Sequence, residues 1–282
     1  MRIVVTGAGG QLGRDLQEAL ARRGHEVLPL GRRELDVTRP EQCRDVMVSL
    51  RPDAVVHAAA YTAVDQAEHD PDGAYAVNAF GTRNVAAAAE RVGAKLCYIS
   101  TDYVFDGRAE APYREFDRPN PLNVYGRSKL AGEGMVRSFS SRHYIVRTSW
   151  LYGLHGANFV KTMLRLARER EYVQVVDDQV GSPTSSADLS GFVAELVETE
   201  LYGIYHASNA GQCSWYEFAG AVFELSGLEV DLRPCRTDEF PRPAVRPAFS
   251  VLDNMAIRLN GFTPLRGWRE ALEEFLDRYG KA

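Results

Sequence analysis

A tyrosine and a lysine four residues apart are the side chains in this sequence best suited to proton transfer. Tyr125 and Lys129 lie in NVYGRSKLAGE, where the pattern predicts a helix over 124–137, and residues at this spacing share one helix face with Cβ atoms about 6 Å apart. A free tyrosine has a pKa of about 10 and transfers protons poorly at neutral pH. We expect the lysine cation, together with a bound ligand that carries a positively charged ring, to favour the phenolate and so to lower that pKa toward about 7. The same spacing also occurs in helices with no catalytic role.

Three glycines follow the first predicted strand, in VVTGAGGQLGRDL. Gly7 is expected to close the turn, Gly10 to leave room for a pyrophosphate, and Gly13 to let the helix pack closely on the sheet. Their G-x-x-G-x-x-G spacing is a variant of the dinucleotide fingerprint, and its position between a strand and a helix supports that interpretation. A tight strand-to-helix turn without a ligand is the structural alternative.

The segment GRRELDV follows the second predicted strand, 26–30, and bears on the choice of cofactor. Arginine at this place tolerates a ribose 2′-phosphate, whereas an acidic side chain accepts hydrogen bonds from a 2′-hydroxyl. Arg32 and Arg33 therefore favour NADP, while Asp36 keeps NAD open, and both arginines are equally explained as solvated surface charges. Small side chains after the third predicted strand would let a cofactor approach the sheet edge, or would simply pack in the core: Ala58, Ala59 and Ala60.

Thr101 and Asp102 end the fourth predicted strand, in YISTDYVFDG. Open α/β sheets bind ligands at the carboxyl ends of their parallel strands. The Thr101 hydroxyl is placed to hydrogen-bond both a substrate carbonyl oxygen and the Tyr125 phenol. The glycine turn, the tyrosine–lysine pair and this strand end therefore predict a single crevice.

The elements that must position these residues alternate between strands and helices. Predicted helices separate the apolar runs RIVVT, HEVLPL, DAVVHAA and AKLCYIS; these helices cover 11–23, 40–50 and 72–92. A further helix, over 124–137, follows the last run. This alternation predicts an α/β fold with a doubly wound parallel sheet of the Rossmann type. After HYIVRTSWLYG the elements are shorter and more mixed, with helices predicted over 158–170, 214–227 and 267–279. We therefore expect a dinucleotide-binding part over 1–150 and a smaller, interleaved substrate-binding part over 151–282.

Charge and cysteine usage limit the class of partner. The net charge of −5 gives no general attraction to nucleic acid or to anionic membranes, so a small molecule is the expected partner. Met1 leads directly into a strand-like segment, and no stretch approaches the roughly 18 apolar residues of a membrane span. We expect neither secretion nor membrane insertion. The four cysteines have no metal-binding or disulfide spacing, which indicates reduced thiols in the cytoplasm: Cys43, Cys97, Cys213 and Cys235.

The motifs TGAGGQLG, STDYVFDG and YGRSK together resemble the extended short-chain dehydrogenase/reductase superfamily, and more narrowly its dTDP-4-dehydrorhamnose reductases. The resemblance continues through LDVT, AAAYTAVDQAE, RTSWLYG, GSPT and RPAFSVLDN, which cover nearly the whole chain in order. It implies NADPH- or NADH-dependent reduction of the C4 ketone of dTDP-6-deoxy-L-lyxo-4-hexulose to dTDP-L-rhamnose, for rhamnose-containing cell-surface polysaccharide. The partner would then be a nucleotide sugar held mainly by 151–282.

The resemblance also implies roles for individual residues. The catalytic set would be Thr101, Tyr125 and Lys129. The cofactor contacts would be Gly7, Gly10, Gln11, Leu12, Gly13, Asp36, Val37, Ala58, Ala59, Ala60, Tyr125 and Lys129, with Arg32 added from its position after the second strand. The substrate contacts would be Thr101, Asp102, Tyr103, Val64 and Trp150, with Arg246 as the expected partner of the diphosphate. Without the resemblance, Trp150 would be read as a core aromatic residue; His57 is most simply a packed histidine.

One departure and two alternatives bear on the activity. Sugar-nucleotide 4,6-dehydratases of the superfamily place Asp-Glu after the threonine, whereas here Asp102 is followed by Tyr103, so dehydration would lack its second acid. A nucleotide-sugar 4-epimerase and a non-catalytic regulatory subunit, like that of methionine adenosyltransferase, are the alternatives, and intact Thr101, Tyr125 and Lys129 argue against the second. Some relatives bind Mg²⁺ at a dimer contact, which leaves Mg²⁺ and a homodimer open. No metal-ligand spacing is assigned.

Overall fold

A computed structural model describes residues 1–280 as strands and helices in regular alternation over the first half of the chain. The strands are β1 (Arg2–Thr6), β2 (Glu26–Leu30), β3 (Ala54–His57), β4 (Lys95–Thr101), β5 (His143–Thr148), β6 (Leu151–Tyr152), β7 (Tyr172–Val176), β8 (Val180–Gly181), β9 (Thr184–Ser185), β10 (Gly203–His206), β11 (Cys213–Ser214) and β12 (Asp231–Cys235). The α-helices are α1 (Gln11–Arg22), α2 (Pro40–Leu50), α3 (Val64–His69), α4 (Pro71–Tyr75), α5 (Thr82–Arg91), α6 (Val124–Phe139), α7 (Phe159–Glu169), α8 (Ser186–Leu196), α9 (Trp215–Leu225), α10 (Met255–Leu259) and α11 (Trp268–Gly280).

A six-stranded sheet in the order β2-β1-β3-β4-β5-β10 forms the centre of the molecule. All of its neighbouring strands pair in parallel. The chain passes from β1 to β2 on one side and then crosses to β3 on the other, which places the reversal of strand order between β1 and β3. Open α/β sheets bind ligands at such a reversal. The predicted doubly wound, Rossmann-type fold is confirmed.

Both faces of the sheet are covered by helices, because successive strand residues point to opposite sides. Ile3 and Val5 pack with α1 and α8 in one apolar core. Val4 packs with α2 and α5 in a second core on the other face. Both faces being buried explains why these strands are apolar almost throughout.

A third apolar core joins α7 and α9 with β7 and the end of the chain. Its members lie between residues 150 and 276. In contrast, α8 and β10 come from the second half of the chain but contribute to the first core and to the large sheet. The division at residue 150 stays a prediction.

Two predicted elements are divided in the structure. The helix predicted over 72–92 is interrupted by a π-helical turn, Ala76–Gly81, between α4 and α5. The strand predicted in HYIVRTSWLYG breaks into β5 and β6, and between them Trp150 has a φ of 47°, which a non-glycine residue adopts rarely. Such local departures from regular geometry cluster at functional sites.

Helix α6, which carries the predicted tyrosine and lysine, starts at a well-defined cap. Asn123 precedes the helix, and its side chain accepts a hydrogen bond from Gly126 N at 2.8 Å. An asparagine here satisfies a backbone donor that the first helical turn leaves open. The Val124 N–H donates to Glu68 of α3 at 2.7 Å. These bonds fix where α6 begins and therefore which residues face the sheet.

Candidate active site

The glycine turn lies against the segment that follows β3. Gly7 has a φ of 67°, and a Cβ atom there would stand 2.7 Å from Ala59 N, so only glycine fits. A Cβ on Gly13 would overlap the carbonyl oxygen of Gly7. The first turn of α1 therefore packs directly on the glycine turn at the end of β1, while the rest of the helix lies against the sheet. Together the two glycines bring β1, α1 and residues 58–59 into backbone contact.

The beginning of α1 offers backbone donors that are open to an anion. Gly10 occupies the N-cap without a side-chain cap, and the first turn has no acidic residue. Free N–H groups and the helix dipole at such an end favour a phosphate or pyrophosphate. Leu12 is buried in the first core, and the Gln11 amide donates to Leu151 O at 3.2 Å. These two residues therefore offer their backbone, and the chemistry of this donor set fits a dinucleotide.

The predicted contacts around the adenosine ribose lie at the ends of β2 and β3. Arg32 is exposed after β2. The Asp36 carboxylate accepts hydrogen bonds from the Thr38 hydroxyl at 2.7 Å and from Thr38 N at 3.1 Å, and these bonds lower the pKa of Asp36. Val37 is buried, and its carbonyl accepts a hydrogen bond from Asn84 at 3.0 Å.

The segment after β3 is held from inside the sheet by a buried histidine. His57 is hydrogen-bonded to Thr6 at 2.7 Å and to Thr82 at 3.2 Å, and burial lowers its pKa to about 3. It is therefore a neutral, packed histidine, as the sequence indicated. Next to it, the Ala59 N–H donates to the Thr6 hydroxyl at 3.3 Å, and the predicted small residues are only partly buried: Ala58, Ala59 and Ala60.

Tyr125 and Lys129 lie on one face of α6, against the carboxyl end of β4. The Lys129 ammonium donates to Ile99 O at 2.6 Å and stands 4.0 Å from the centre of the Tyr98 ring. The Thr101 hydroxyl, which donates to Asp102 at 3.0 Å, is close enough to the Tyr125 phenol to influence its pKa. The structure therefore brings together all three residues of the predicted catalytic set.

The protonation of this pair in the free protein is set by burial. Burial raises the pKa of Tyr125 to about 12, against the opposing effect of the nearby Thr101 hydroxyl. The Lys129 ammonium is directed at Ile99 O, and its charge does not offset the burial of the phenol; the shift toward 7, which is expected with a nicotinamide bound beside the phenol, stays a prediction. Burial lowers the pKa of Lys129 itself to about 7, and the nearby Glu133 carboxylate opposes this change. Tyr125 therefore carries its proton at neutral pH.

Asp102 places an unpaired carboxylate oxygen beside this pair. Its Oδ1 atom accepts a hydrogen bond from Thr101 at 3.0 Å, whereas its buried Oδ2 atom has no partner among the described residues. Burial raises the pKa of Asp102 to about 6. Next to it, the Tyr103 ring meets the Tyr125 ring edge-on, with centroids 5.7 Å apart, and burial raises the pKa of the Tyr103 phenol.

The other predicted substrate contacts are Trp150, Val64 and Arg246. The Trp150 indole stacks on Trp215 at a centroid distance of 3.6 Å. Val64 begins α3, and the next residue, Asp65, accepts hydrogen bonds from the Arg246 guanidinium at 2.5 and 2.8 Å. Arg246 thus already has an anionic partner, with which a diphosphate would have to compete.

Sequence reasoning missed three buried polar residues around α6. Asn78 lies in the π-helical turn and joins both backbone groups of Tyr61 to the Ser128 hydroxyl. Glu133 and Arg147 form an ion pair beneath Lys129. Arg147 had a visible signal, since a charged residue in the otherwise apolar run HYIVRT requires a buried partner.

The structure of residues 1–280 also bears on the binding of metal ions and on the crossing of a membrane. No group of three acidic, histidine or cysteine side chains within residues 1–280 is arranged to hold a metal ion, so the structure assigns no residues to Mg²⁺. None of the helices in the same range combines the length and the apolar character needed to cross a membrane.

The chain is similar to known proteins over its full length. The family model of the RmlD substrate binding domain matches residues 1–281. The spore coat polysaccharide biosynthesis protein SpsK of Bacillus subtilis is 45% identical over 100% of this chain and 99% of its own length. A dTDP-4-dehydrorhamnose reductase of Mycolicibacterium smegmatis is 46% identical over 97% of this chain and 84% of its own. The crystal structure of the Bacillus anthracis dTDP-4-dehydrorhamnose reductase in complex with NADP superposes with a TM-score of 0.96, at 49% identity, covering 98% of this chain and 99% of that one.

Proposed function

The chain belongs to the RmlD substrate binding domain family, and from this we infer that it reduces dTDP-4-dehydrorhamnose to dTDP-L-rhamnose with NAD(P)H. The observation that carries this conclusion is the match in fold over nearly the whole chain, at 49% sequence identity, to a reductase of that name in complex with NADP. The chain is thus an oxidoreductase of dTDP-rhamnose biosynthesis. Its substrate is a nucleotide sugar with a ketone at C4.

We propose that the dinucleotide lies along the carboxyl edge of the sheet at the β1/β3 reversal. The beginning of α1 would hold the pyrophosphate, and Gly7 and Gly13 keep the backbone close enough for this contact. The exposed Arg32 would meet a 2′-phosphate and Asp36 the ribose. The remaining proposed cofactor contacts are Gly10, Gln11, Leu12, Val37, Ala58, Ala59, Ala60, Tyr125 and Lys129.

Tyr125 is proposed as the proton donor to the ketone oxygen. Its high pKa means that it carries the proton at neutral pH, which is what reduction requires of a general acid. When bound, reduced NAD(P)H supplies the hydride that the ketone carbon receives. Thr101 lies near the Tyr125 phenol and would polarise the same carbonyl group. Lys129, buried beneath the tyrosine, would hold the nicotinamide ribose.

The sugar nucleotide is proposed to enter between β4 and the segments from the second half of the chain. Asp102 has a free carboxylate oxygen for a sugar hydroxyl, and burial makes such an unpaired group costly until a donor reaches it. Tyr103, Val64 and Trp150 would form the walls, and Arg246 the contact to the diphosphate. We place the protein in the cytoplasm, a proposal supported by its four buried, unpaired cysteines; the homodimer stays a prediction.

The decisive experiment is to mix the purified protein with NADPH and enzymatically prepared dTDP-4-dehydrorhamnose. The expected result is stoichiometric loss of NADPH and formation of dTDP-L-rhamnose, identified by NMR. A protein that isomerises the sugar without consuming NADPH, and carries tightly bound nicotinamide, would instead be an epimerase. A protein that binds another protein but turns over no nucleotide-sugar ketone would be a regulatory subunit. Either result would overturn the assignment.

A further inference from the structure

Three residues on one face of α6 contact three successive residues at the end of β4. Tyr125, Lys129 and Glu133 are four residues apart and therefore form one row on the helix. Tyr125 lies near Thr101, which lowers the pKa of the phenol, and Lys129 donates to Ile99 O. The hydroxyl of Ser100, between them in β4, donates to Glu133 Oε1 at 2.7 Å. Glu133 thus belongs to the same row of contacts as the tyrosine and the lysine.

Glu133 is fixed by a buried ion pair. Arg147 of β5 donates to both of its carboxylate oxygens, at 2.9 and 2.8 Å, and the two side chains are 0% and 2% exposed. On its other side the Arg147 guanidinium lies 3.2 Å from His206 Nε2, and burial lowers the pKa of His206 to about 3. His206 therefore adds no charge to the pair at neutral pH.

A buried ion pair of this kind is a poor means of stabilising a fold. Removing two charges from water costs several kcal/mol per ion, and apolar residues of similar volume often serve stability equally well. The Arg147–Glu133 pair lies next to an apolar core on this face of the sheet. The pair therefore calls for an explanation in terms of the groups it faces.

Lys129 lies one helical turn from Glu133, on the same face of α6. It is 2% exposed; its surroundings are Ile99 O, the Tyr98 ring, neutral His57 of β3 and, on its own helix, Tyr125 and Glu133. Among these, Glu133 carries the formal negative charge that opposes the loss of the Lys129 proton. Without it, burial would leave the ammonium with only a carbonyl and an aromatic face.

We propose that Glu133 is a positioning residue for the reduction: held by Arg147 and Ser100, it keeps Lys129 protonated where that lysine binds the nicotinamide ribose. The proposal rests on the role given to Lys129 under the proposed function. It predicts that the negative charge of the Glu133 carboxylate determines the pH range in which the enzyme binds and uses NADPH.

The test compares the full-length protein with its Glu133→Gln variant between about pH 6 and pH 9. NADPH binding is followed by cofactor fluorescence, and turnover by NADPH consumption. Activity requires the Lys129 cation, so it falls as pH rises through the pKa of that lysine. This decrease forms the alkaline limb of the pH profile. Loss of the Glu133 charge is expected to shift the midpoint of the alkaline limb to lower pH by about one unit. At pH 7.5 the variant should therefore lose about tenfold in NADPH affinity, and the loss should largely disappear at pH 6.

Two further variants separate this effect from damage to the fold. Ser100→Ala removes one hydrogen bond to Glu133 without leaving an unpaired arginine, and a smaller shift of the limb in the same direction is expected. Asp188→Asn breaks a second, less deeply buried pair, in which Arg266 meets Asp188 at 2.9 Å between α8 and the segment before α11. That control should lower the melting temperature without moving the limb.

A uniform loss of binding at every pH in the Glu133 and Ser100 variants would overturn the proposal, as would an unmoved limb. Failure of the proposed function would look different. The wild-type protein would then leave the keto sugar unchanged, while the NADPH titrations of wild type and variant would still report whether the alkaline limb moves.

Discussion

Replacing Asp102 by asparagine is expected to make the protein more stable and less active at neutral pH. The side chain is 3% exposed, and burial raises its pKa from 3.8 to about 6. Since each pH unit corresponds to about 1.4 kcal/mol, the ionised carboxylate costs the folded state about 3 kcal/mol. The asparagine removes that cost, keeps an acceptor for Thr101, and introduces an amide whose own desolvation costs about 1–2 kcal/mol. The net gain is about 1–2 kcal/mol.

The size of the stability gain from Asp102→Asn depends on pH, and this dependence identifies the buried carboxylate as its cause. A carboxyl whose pKa is higher in the folded than in the unfolded state destabilises the protein as pH rises from 3.8 toward 6, and the cost is constant above that range. At pH 5 the wild-type protein should therefore bear only about half of the cost that it bears at pH 7.5. The advantage of Asp102→Asn should shrink accordingly between these two conditions.

Urea unfolding and thermal melting at both pH values provide the measurement. At pH 7.5 the variant should melt about 2–8 °C higher than the wild type, and its kcat/KM for the keto sugar should fall at least about tenfold, because Asp102 is a proposed sugar contact. Asp65→Asn is the matched control, with the opposite sign: Arg246 lowers the pKa of Asp65, so this variant should lose stability. An Asp102→Asn protein that is less stable than the wild type at pH 7.5, or whose advantage is equal at both pH values, would refute the reasoning.

Three other substitutions test the site directly. Tyr125→Phe removes the proposed proton donor and should lower kcat at least about 100-fold with little change in NADPH affinity; near-normal turnover would reject that role. Gly13→Ala should weaken NADPH binding at least about tenfold, because its Cβ would overlap Gly7 O, whereas Gly9→Ala projects into open space and should bind normally; equal affinities in a fluorescence titration would contradict this. Arg32→Ala should raise KM for NADPH about tenfold and leave KM for NADH unchanged, so that equal losses for both cofactors would show that Arg32 does not contact the 2′-phosphate.

The sequence was sufficient where a local pattern has one physical solution. Apolar runs alternating with amphipathic segments predicted the sheet, and Gly7 with Gly13 predicted a close backbone approach because no other residue fits there. The pair Tyr125 and Lys129 was found because a four-residue spacing fixes which helix face the two residues share. In each of these cases the information lies within a few residues of the chain.

The parts that could not be predicted depend on residues far apart in sequence. The partners Glu133 and Arg147 are 14 positions apart. The sequence around either residue does not indicate which residue is its ion-pair partner. The direction of the Tyr125 pKa shift follows from how deeply the phenol is buried and where the Lys129 ammonium is directed, and spacing along a helix determines neither. The π-helical turn that carries Asn78 was also invisible, since its extra residue departs only briefly from the usual helical period.

The stacked indoles of Trp150 and Trp215 give this molecule a built-in optical probe. At a centroid distance of 3.6 Å and an interplanar angle of 7°, two aromatic rings share their electronic excitation, and the resulting circular-dichroism couplet depends steeply on their separation and mutual angle. Trp150 is a proposed substrate contact, and Trp215 begins α9; both indoles pack against the third core. A movement of the first indole against the second can therefore be followed in the unlabelled protein, without an attached dye and without a chemical reaction.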